Sequence, residues 1–266
     1  MTLTVATAQF APTEDKTENL ELIESYVRDA AARGAGLVVL PEYAIFTAPV
    51  MDDRFVETAE TLDGPAVTRV AELSDELGIA VILGINEQAD AGRIHNTLVA
   101  VQDGSVTAVY RKVHLYDAFG YVESDRVEAG APLKPEVLNV GGFTVAMQTC
   151  YDLRFPEVSR SLVDAGAEIL ALPAEWVPGP LKEYHWNVLV RARAIENTVF
   201  VVAADQCAPT GAGNSVILDP MGNVLASIGE HAGLATAQVD RARLDHVRRI
   251  NPALSLRRYR VSPRGE

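Results

Sequence analysis

Met147-Gln148-Thr149-Cys150-Tyr151-Asp152-Leu153-Arg154-Phe155-Pro156-Glu157 decides how this chain is read. An alternating apolar run, Phe143 to Met147, leads into a lone cysteine; polar and charged residues follow, and Pro156 is suited to open a helix. This places the Cys150 thiol at the C-terminal end of a strand, where sites in α/β sheets gather. A free cysteine is by default a small buried hydrophobe. The neighbours Tyr151 and Asp152 and the helix start beyond them instead predict an exposed, polarised turn, where a helix N-terminus favours thiolate.

On either side, strands and helices interleave. Leu3 to Phe10 reads as a buried strand, and Thr17 to Arg33 as a helix stopped at Gly34, with apolar residues at Leu20, Ile23, Val27, Ala30 and Ala31. Leu37 to Leu40 is a short strand halted by Pro41. Gly64-Pro65 opens a helix to Leu77, and Ile79 to Ile85 is a further strand. Ile94 to Val101 and Val106 to Val113 flank Asp103-Gly104 and read as a hairpin; Val137 to Val140 and Phe143 to Thr149 flank Gly141-Gly142 and read as a second. Helices over Pro156 to Ala165 and Leu181 to Asn197 alternate with strands over Ile169 to Leu172 and Val199 to Ala204. Strands over Ser215 to Leu218, Val224 to Ile228 and Leu234 to Val239, a last helix over Arg241 to Ile250 and a basic tail complete the order. The hairpins between βαβ-like stretches argue for α/β with mixed sheets. A helix, a strand and a polar motif recur before Glu42 and around Pro173-Ala174-Glu175, as an internally pseudo-symmetric sandwich would give.

The 266 residues are 48% hydrophobic, enough for one sizeable core, and no linker or charge block divides them, so a single domain is expected over 1–266. A net charge of −13 argues against a nucleic-acid partner. The two cysteines, Cys150 and Cys207, suit a reducing compartment. The N-terminus lacks a basic region followed by a long apolar run, and no apolar stretch approaches the roughly 18 residues of a membrane helix. A soluble cytoplasmic protein without a membrane partner is therefore expected.

Two further motifs can ionise a thiol. Glu42 in Leu40-Pro41-Glu42 stands at the edge of a buried strand, where desolvation makes a carboxylate a competent proton acceptor. Lys112 in Tyr110-Arg111-Lys112-Val113-His114 ends an apolar-rich strand and offers a fixed positive charge for the thiolate and a later oxyanion. His114, two residues on and hence on the same strand face, is the alternative base of a Cys–His pair. No His/Cys cluster has metal-ligand spacing, so no metal and no cofactor are expected.

Together Leu40-Pro41-Glu42, Tyr110-Arg111-Lys112 and Cys150-Tyr151-Asp152-Leu153-Arg154-Phe155-Pro156-Glu157 resemble the three signatures of the carbon–nitrogen hydrolase (nitrilase) superfamily. Arg191-Ala192-Arg193-Ala194-Ile195-Glu196-Asn197 and the turn Asp219-Pro220-Met221-Gly222 are similar to its supporting segments, so the resemblance spans essentially the whole chain. It implies a four-layer α-β-β-α sandwich of mixed sheets and a homodimer, with the tail from about 250 to 266 a candidate for the interface. It implies Glu42 as base, Lys112 as oxyanion stabiliser, Cys150 as nucleophile, Glu123 as second carboxylate and the Tyr151 backbone N–H as an oxyanion donor. The Cys150 run and His114-Leu115-Tyr116-Asp117 most resemble the omega-amidase and deaminated glutathione amidase branch, which implies a small carboxylate or 2-oxo acid amide as substrate. Arg154 is the candidate fork for a substrate carboxylate, and Tyr43, Phe119, Tyr121 and Trp176 are candidates for the pocket wall. Nitrilase or N-carbamoyl amide hydrolase activity, and a catalytically silent scaffold, are the alternatives. Two departures bear on substrate: Glu175-Trp176 puts a carboxylate near the pocket, and Gly213-Asn214-Ser215 replaces the common Gly-His-Ser.

Overall fold

The computed structural model describes residues 1–132 and 135–264. Strand β1 (Thr2–Gln9) leads into helix α1 (Lys16–Ala32), strand β2 (Leu37–Val39), short helix α2 (Asp53–Glu57), helix α3 (Pro65–Leu77) and strand β3 (Ala80–Gln88). The hairpin β4 (Ile94–Gln102) and β5 (Ser105–Arg111) follows, then a miniature hairpin of β6 (Asp117–Ala118) and β7 (Tyr121–Val122). The hairpin β8 (Val137–Val140) and β9 (Phe143–Met147) opens the second half. Then come α4 (Pro156–Asp164), β10 (Ile169–Ala174), α5 (Lys182–Asn197) and β11 (Phe200–Asp205). Strands β12 (Val216–Leu218), β13 (Val224–Ser227) and β14 (Gly233–Asp240) and helix α6 (Arg241–Ile250) complete the order.

The strands form two six-stranded sheets, ordered β14-β1-β2-β3-β4-β5 and β8-β9-β10-β11-β12-β13. Read in those directions, both sheets pair antiparallel, parallel, parallel, antiparallel, antiparallel. The internal pseudo-symmetry expected from the sequence is therefore present at the level of strand pairing.

Period-two alternation builds the layers. Leu37 and Val39 of β2 point between the sheets, where they join Ile82, Val145, Ile169 and Val202. Val38 and Leu40 point the other way, against Ile23, Val27, Val70 and Leu73 of α1 and α3. In the second half Leu170, Leu172 and Val201 meet Leu162, Trp186 and Val190 of α4 and α5. The result is the α-β-β-α sandwich. Each fully buried aliphatic side chain contributes about 1.5–3 kcal/mol of burial free energy, so both faces of each central sheet are held.

Local signals set most boundaries. Asp15 caps α1 by accepting from Thr17 N (2.8 Å) and Glu18 N (3.2 Å). Pro65 and Pro156 stand at the first turns of α3 and α4, and Gly78 ends α3 in the left-handed conformation. Two strands stop two residues short of the apolar pattern. The β5 ladder ends at Arg111 because His114 is drawn to Asp152; β9 ends at Met147 because Thr149 N turns to Asp152 Oδ2, 3.3 Å away. Helix α2 and the β6–β7 hairpin are too short to show a period in sequence. Among the described residues no helix is long and apolar enough to cross a membrane.

Candidate active site

Four side chains implied by the sequence reading converge beyond the ends of β2, β5 and β9. Glu42 arrives on a loop laid against β3. Gly84 N donates to Pro41 O (3.0 Å), and Ala44 N donates to Gly84 O (2.9 Å). A Cβ on Gly84 would stand 2.6 Å from Glu42 Cα and Tyr43 N, so only glycine permits this approach. From the opposite sheet, Gln206 Nε2 donates to Glu42 O at 2.8 Å.

Lys112 lies just past β5, with its N–H bonded to Asn96 O (2.9 Å). Its ammonium sits between two carboxylates, 2.9 Å from Glu42 Oε1 and 2.9 Å from Glu123 Oε2. Asn96 Nδ2 donates to both acids, at 2.6 Å to Glu42 and 2.9 Å to Glu123. Glu123 also accepts from Tyr43 OH (2.7 Å) and Tyr116 N (2.6 Å). Glu42, Lys112 and Glu123 are only 1%, 2% and 2% exposed, so their charges interact with little help from water. Burial alone would lower the Lys112 pKa, but the Glu123 and Glu42 charges outweigh it and hold it well above the usual lysine value. Burial works against the Glu123 charge too, but Lys112, the Tyr116 N–H and Asn96 prevail and keep the carboxyl below its usual range.

Cys150 begins a 3-10 turn, Cys150–Arg154, in the left-handed region at φ +39°. A non-glycine residue there is strained, and such strain collects at functional sites. The sequence reading expects an exposed turn; the side chain is 6% exposed instead, at the floor of a cleft. The turn folds the sulfur back under the end of β10, where Sγ lies 3.5 Å from Glu175 O. Burial and the Glu42 charge push the thiol pKa well above its usual value, and Lys112 offsets them only in part. The surroundings therefore work against ionisation, which the helix start is expected to favour, and suit the reading in which Glu42 takes the thiol proton.

Asp152 ties the cysteine turn to the lysine segment. Buried, it accepts from Tyr110 OH (2.6 Å), His114 N (3.0 Å) and Thr149 N (3.3 Å), with His114 Nδ1 2.8 Å away. His114 stacks on Phe155 with ring centroids 3.7 Å apart. It lies beyond β5 rather than on its face, so the Cys–His alternative loses its geometric basis.

Above the thiol opens a cleft of about 420 Å³. Tyr43, Tyr121, Tyr151, Arg154 and Trp176 all line it; Phe119 does not, but stands over Arg154, 5.7 Å from the ring centroid to the guanidinium carbon. Tyr43 is 3% exposed and spends its hydroxyl on Glu123, so it positions that acid as much as it walls the pocket. Glu175, flagged as a departure, also lines the cleft. Burial, reinforced by the Glu42 and Glu123 charges, raises its carboxyl pKa well above the ordinary range, which weakens its repulsion of an anionic substrate. Its backbone N–H donates to Glu42 Oε2 at 2.6 Å.

Sequence reasoning missed Asn96 and Lys182. Asn96 is a lone buried amide in the apolar run Ile94 to Val101, a polar residue at an inward strand position. Lys182 lines the cleft from the first turn of α5, where the helix dipole disfavours a cation; that mismatch was its signal. Among the described residues no group of three or more His, Cys, Asp or Glu is placed to hold a metal ion.

A family model described as carbon–nitrogen hydrolase matches residues 4–249. Deaminated glutathione amidase of Escherichia coli O157:H7 is 42% identical over 255 residues, covering 96% of this chain and 97% of that protein. The C. elegans NitFhit protein superposes with a TM-score of 0.89 at 28% identity, over 98% of this chain, which spans 66% of that longer one. A mutant amidase from Nesterenkonia sp. AN1, with the acetamide moiety of fluoroacetamide added covalently at its active-site cysteine, superposes with a TM-score of 0.80 at 27% identity, over 96% of this chain and 97% of that one. With the fold, the strand-end motifs and the family model in agreement along nearly the whole chain, this protein belongs to the carbon–nitrogen hydrolase family of the nitrilase superfamily.

Proposed function

We propose that this protein is an amidase that releases ammonia from a small carboxylate or 2-oxo acid amide through a thioester on Cys150. The observation that carries this reading is the buried cluster of Glu42, Lys112 and Glu123 beside the Cys150 thiol at the floor of an open cleft. The activity named for the Escherichia coli relative supports it, as does the cysteine adduct of the Nesterenkonia amidase.

In the proposed cycle Glu42 accepts the Cys150 proton as the sulfur attacks the amide carbonyl. The Lys112 ammonium and the Tyr151 backbone N–H stabilise the tetrahedral oxyanion. Glu42 returns the proton to the leaving nitrogen, and ammonia departs from a thioester. A water that gives its proton to Glu42 then hydrolyses the thioester, releasing the carboxylic acid and restoring the thiol. Glu123 holds Lys112 in place and balances its charge. Arg154 takes the carboxylate of the acyl tail. Its Nε and Nη2 are buried without a hydrogen-bond partner among the described residues, which leaves the fork free for an anion.

A panel of amides, nitriles and N-carbamoyl amino acids, read by ammonia release, tests the assignment. Short-chain amides with a terminal carboxylate should turn over fastest; turnover of nitriles alone overturns it. Cys150→Ala should abolish activity. Glu42→Gln should stop turnover yet leave Cys150 open to alkylation. Wild-type rates in either variant would refute the mechanism.

The same reading includes a homodimer in a reducing, cytoplasmic setting. Both cysteines are free. Tyr184, Val188 and Ile195 form an exposed apolar stripe on α5, 64%, 44% and 47% accessible, and Leu256, Tyr259 and Val261 of the tail are exposed as well. A second copy of the chain is the proposed occupant. Sedimentation as a monomer at micromolar concentration would exclude it.

A further inference from the structure

Lys182 is unusually placed. Leu181, which precedes it, adopts the left-handed conformation at φ +61°, and no side chain caps the start of α5. The next residue is a cation at the helix end that disfavours one. Neither feature helps the helix; together they deliver an ammonium into the cleft.

There Lys182 is 5% exposed, and its Nζ donates to Tyr116 OH at 2.7 Å. That bond uses one of three N–H groups. Among the described residues neither Lys182 nor Arg154 makes an ion pair. Both cations face the same aromatic walls. The Arg154 guanidinium carbon lies 4.8 Å from the Trp176 ring centroid and 5.7 Å from that of Phe119; Lys182 Nζ lies 5.5 and 4.9 Å from the same two. Phe119 reaches this position from the tip of the β6–β7 hairpin, where it and Gly120 both take positive φ. Two like charges share a partly dehydrated pocket with no acid partner, an arrangement that an anionic ligand relieves.

We propose that Lys182 is a specificity-determining residue: with its free N–H groups it holds the acceptor next to the tail carboxylate that Arg154 grips, so the site selects a 2-oxo acid acyl group over a plain carboxylate. This rests on the amidase reading, and it adds to that reading the residue that recognises the oxo group. The Arg154 fork satisfies the two carboxylate oxygens, and the Lys182 ammonium the adjacent carbonyl oxygen.

Two readouts separate the proposal from the reading beneath it. The first compares kcat/KM for the monoamides of glutaric and 2-oxoglutaric acid. The wild type should favour the 2-oxo compound, and Lys182→Met should reduce that preference roughly 10- to 100-fold, as loss of a hydrogen bond from a charged donor implies. Lys182→Arg should keep most of it. The second compares rates of Cys150 alkylation by 3-bromopyruvate and by iodoacetamide, followed by mass spectrometry. Intrinsic reactivities cancel between variants, and the bromopyruvate-to-iodoacetamide ratio should fall at least tenfold in Lys182→Met. If Lys182→Met is poorly folded, Lys182→Gln is the second neutral variant. A wild type that hydrolyses no amide but loses its bromopyruvate preference with Lys182 would uphold the subsite and overturn the amidase reading. Ratios unchanged in a folded neutral variant, or lost equally in Lys182→Arg, overturn the proposal.

Discussion

Replacing Lys112 with methionine keeps much of the side-chain volume and removes the charge on which the site is built. Among the described residues the ammonium is the one cation within hydrogen-bond reach of Glu42 and Glu123, each at 2.9 Å. Without it two carboxylates remain in a buried space, sharing one Asn96 amide. Breaking a buried pair by removing one partner costs about 3–5 kcal/mol, because the orphaned charge is left without water. For a chain of this size each kcal/mol lowers the melting midpoint by roughly 2–4 °C, so Lys112→Met should melt about 6–20 °C lower. Turnover should fall further. On the proposed cycle, losing an oxyanion donor costs about 10²–10³ in kcat and Glu42 loses the cation that fixes its position, so a combined loss of at least about 10³ is expected. Differential scanning fluorimetry and single-turnover ammonia release measure the two effects. Adding Glu123→Gln to the variant removes one of the two stranded charges and should restore a large part of the stability while leaving activity lost. A Lys112→Met protein that melts within about 2 °C of the wild type and turns over within tenfold of its rate would refute the electrostatic account.

Glu175→Gln tests the raised carboxyl pKa in the cleft. Burial and neighbouring carboxylates raise the Glu175 pKa in the folded chain above its unfolded value, so its contribution to stability is full below the ordinary glutamate range and drains as pH rises through the folded value. The glutamine variant lacks that loss, so its melting midpoint relative to wild type should be higher at pH 8 than at pH 4.5; an equal difference at both would contradict the shift. Gly84→Ala would put a methyl group 2.6 Å from the Glu42 backbone and must displace the base-bearing loop. A displacement near 1 Å predicts a kcat about 10²-fold lower with a stability cost of about 1–3 kcal/mol. Near wild-type steady-state kinetics in that variant would show that the close approach does not set the position of Glu42.

Much of this molecule was legible because the controlling physics is short in range. The unbroken apolar run Leu37 to Leu40 declares a strand buried on both faces, and Pro65, Gly78 and Pro156 mark helix ends through capping and backbone restriction. The strand-end motifs at Glu42, Lys112 and Cys150 were visible for the same reason. The β6–β7 hairpin was not, since two-residue strands have no period and its turn places Phe119 where a glycine or asparagine is expected.

What the sequence determined by itself was the order of the main strands and helices, which follows from capping and apolar periodicity between residues a few positions apart, while the four-layer architecture and the candidate roles of Glu42, Lys112, Glu123 and Cys150 came from the resemblance of whole motifs. Only the tertiary structure decided their state. Burial under the end of β10 and the charge of Glu42, 108 positions earlier in the chain, push the Cys150 thiol pKa well above its usual value. The Glu123 and Glu42 charges, closing from two loops, hold the Lys112 pKa up against burial, burial and the same acids raise that of Glu175, and Lys182 meets Arg154 only because α5 returns to the turn that follows β9. Desolvation and Coulomb interaction depend on distance through space, which residue spacing along the chain does not encode.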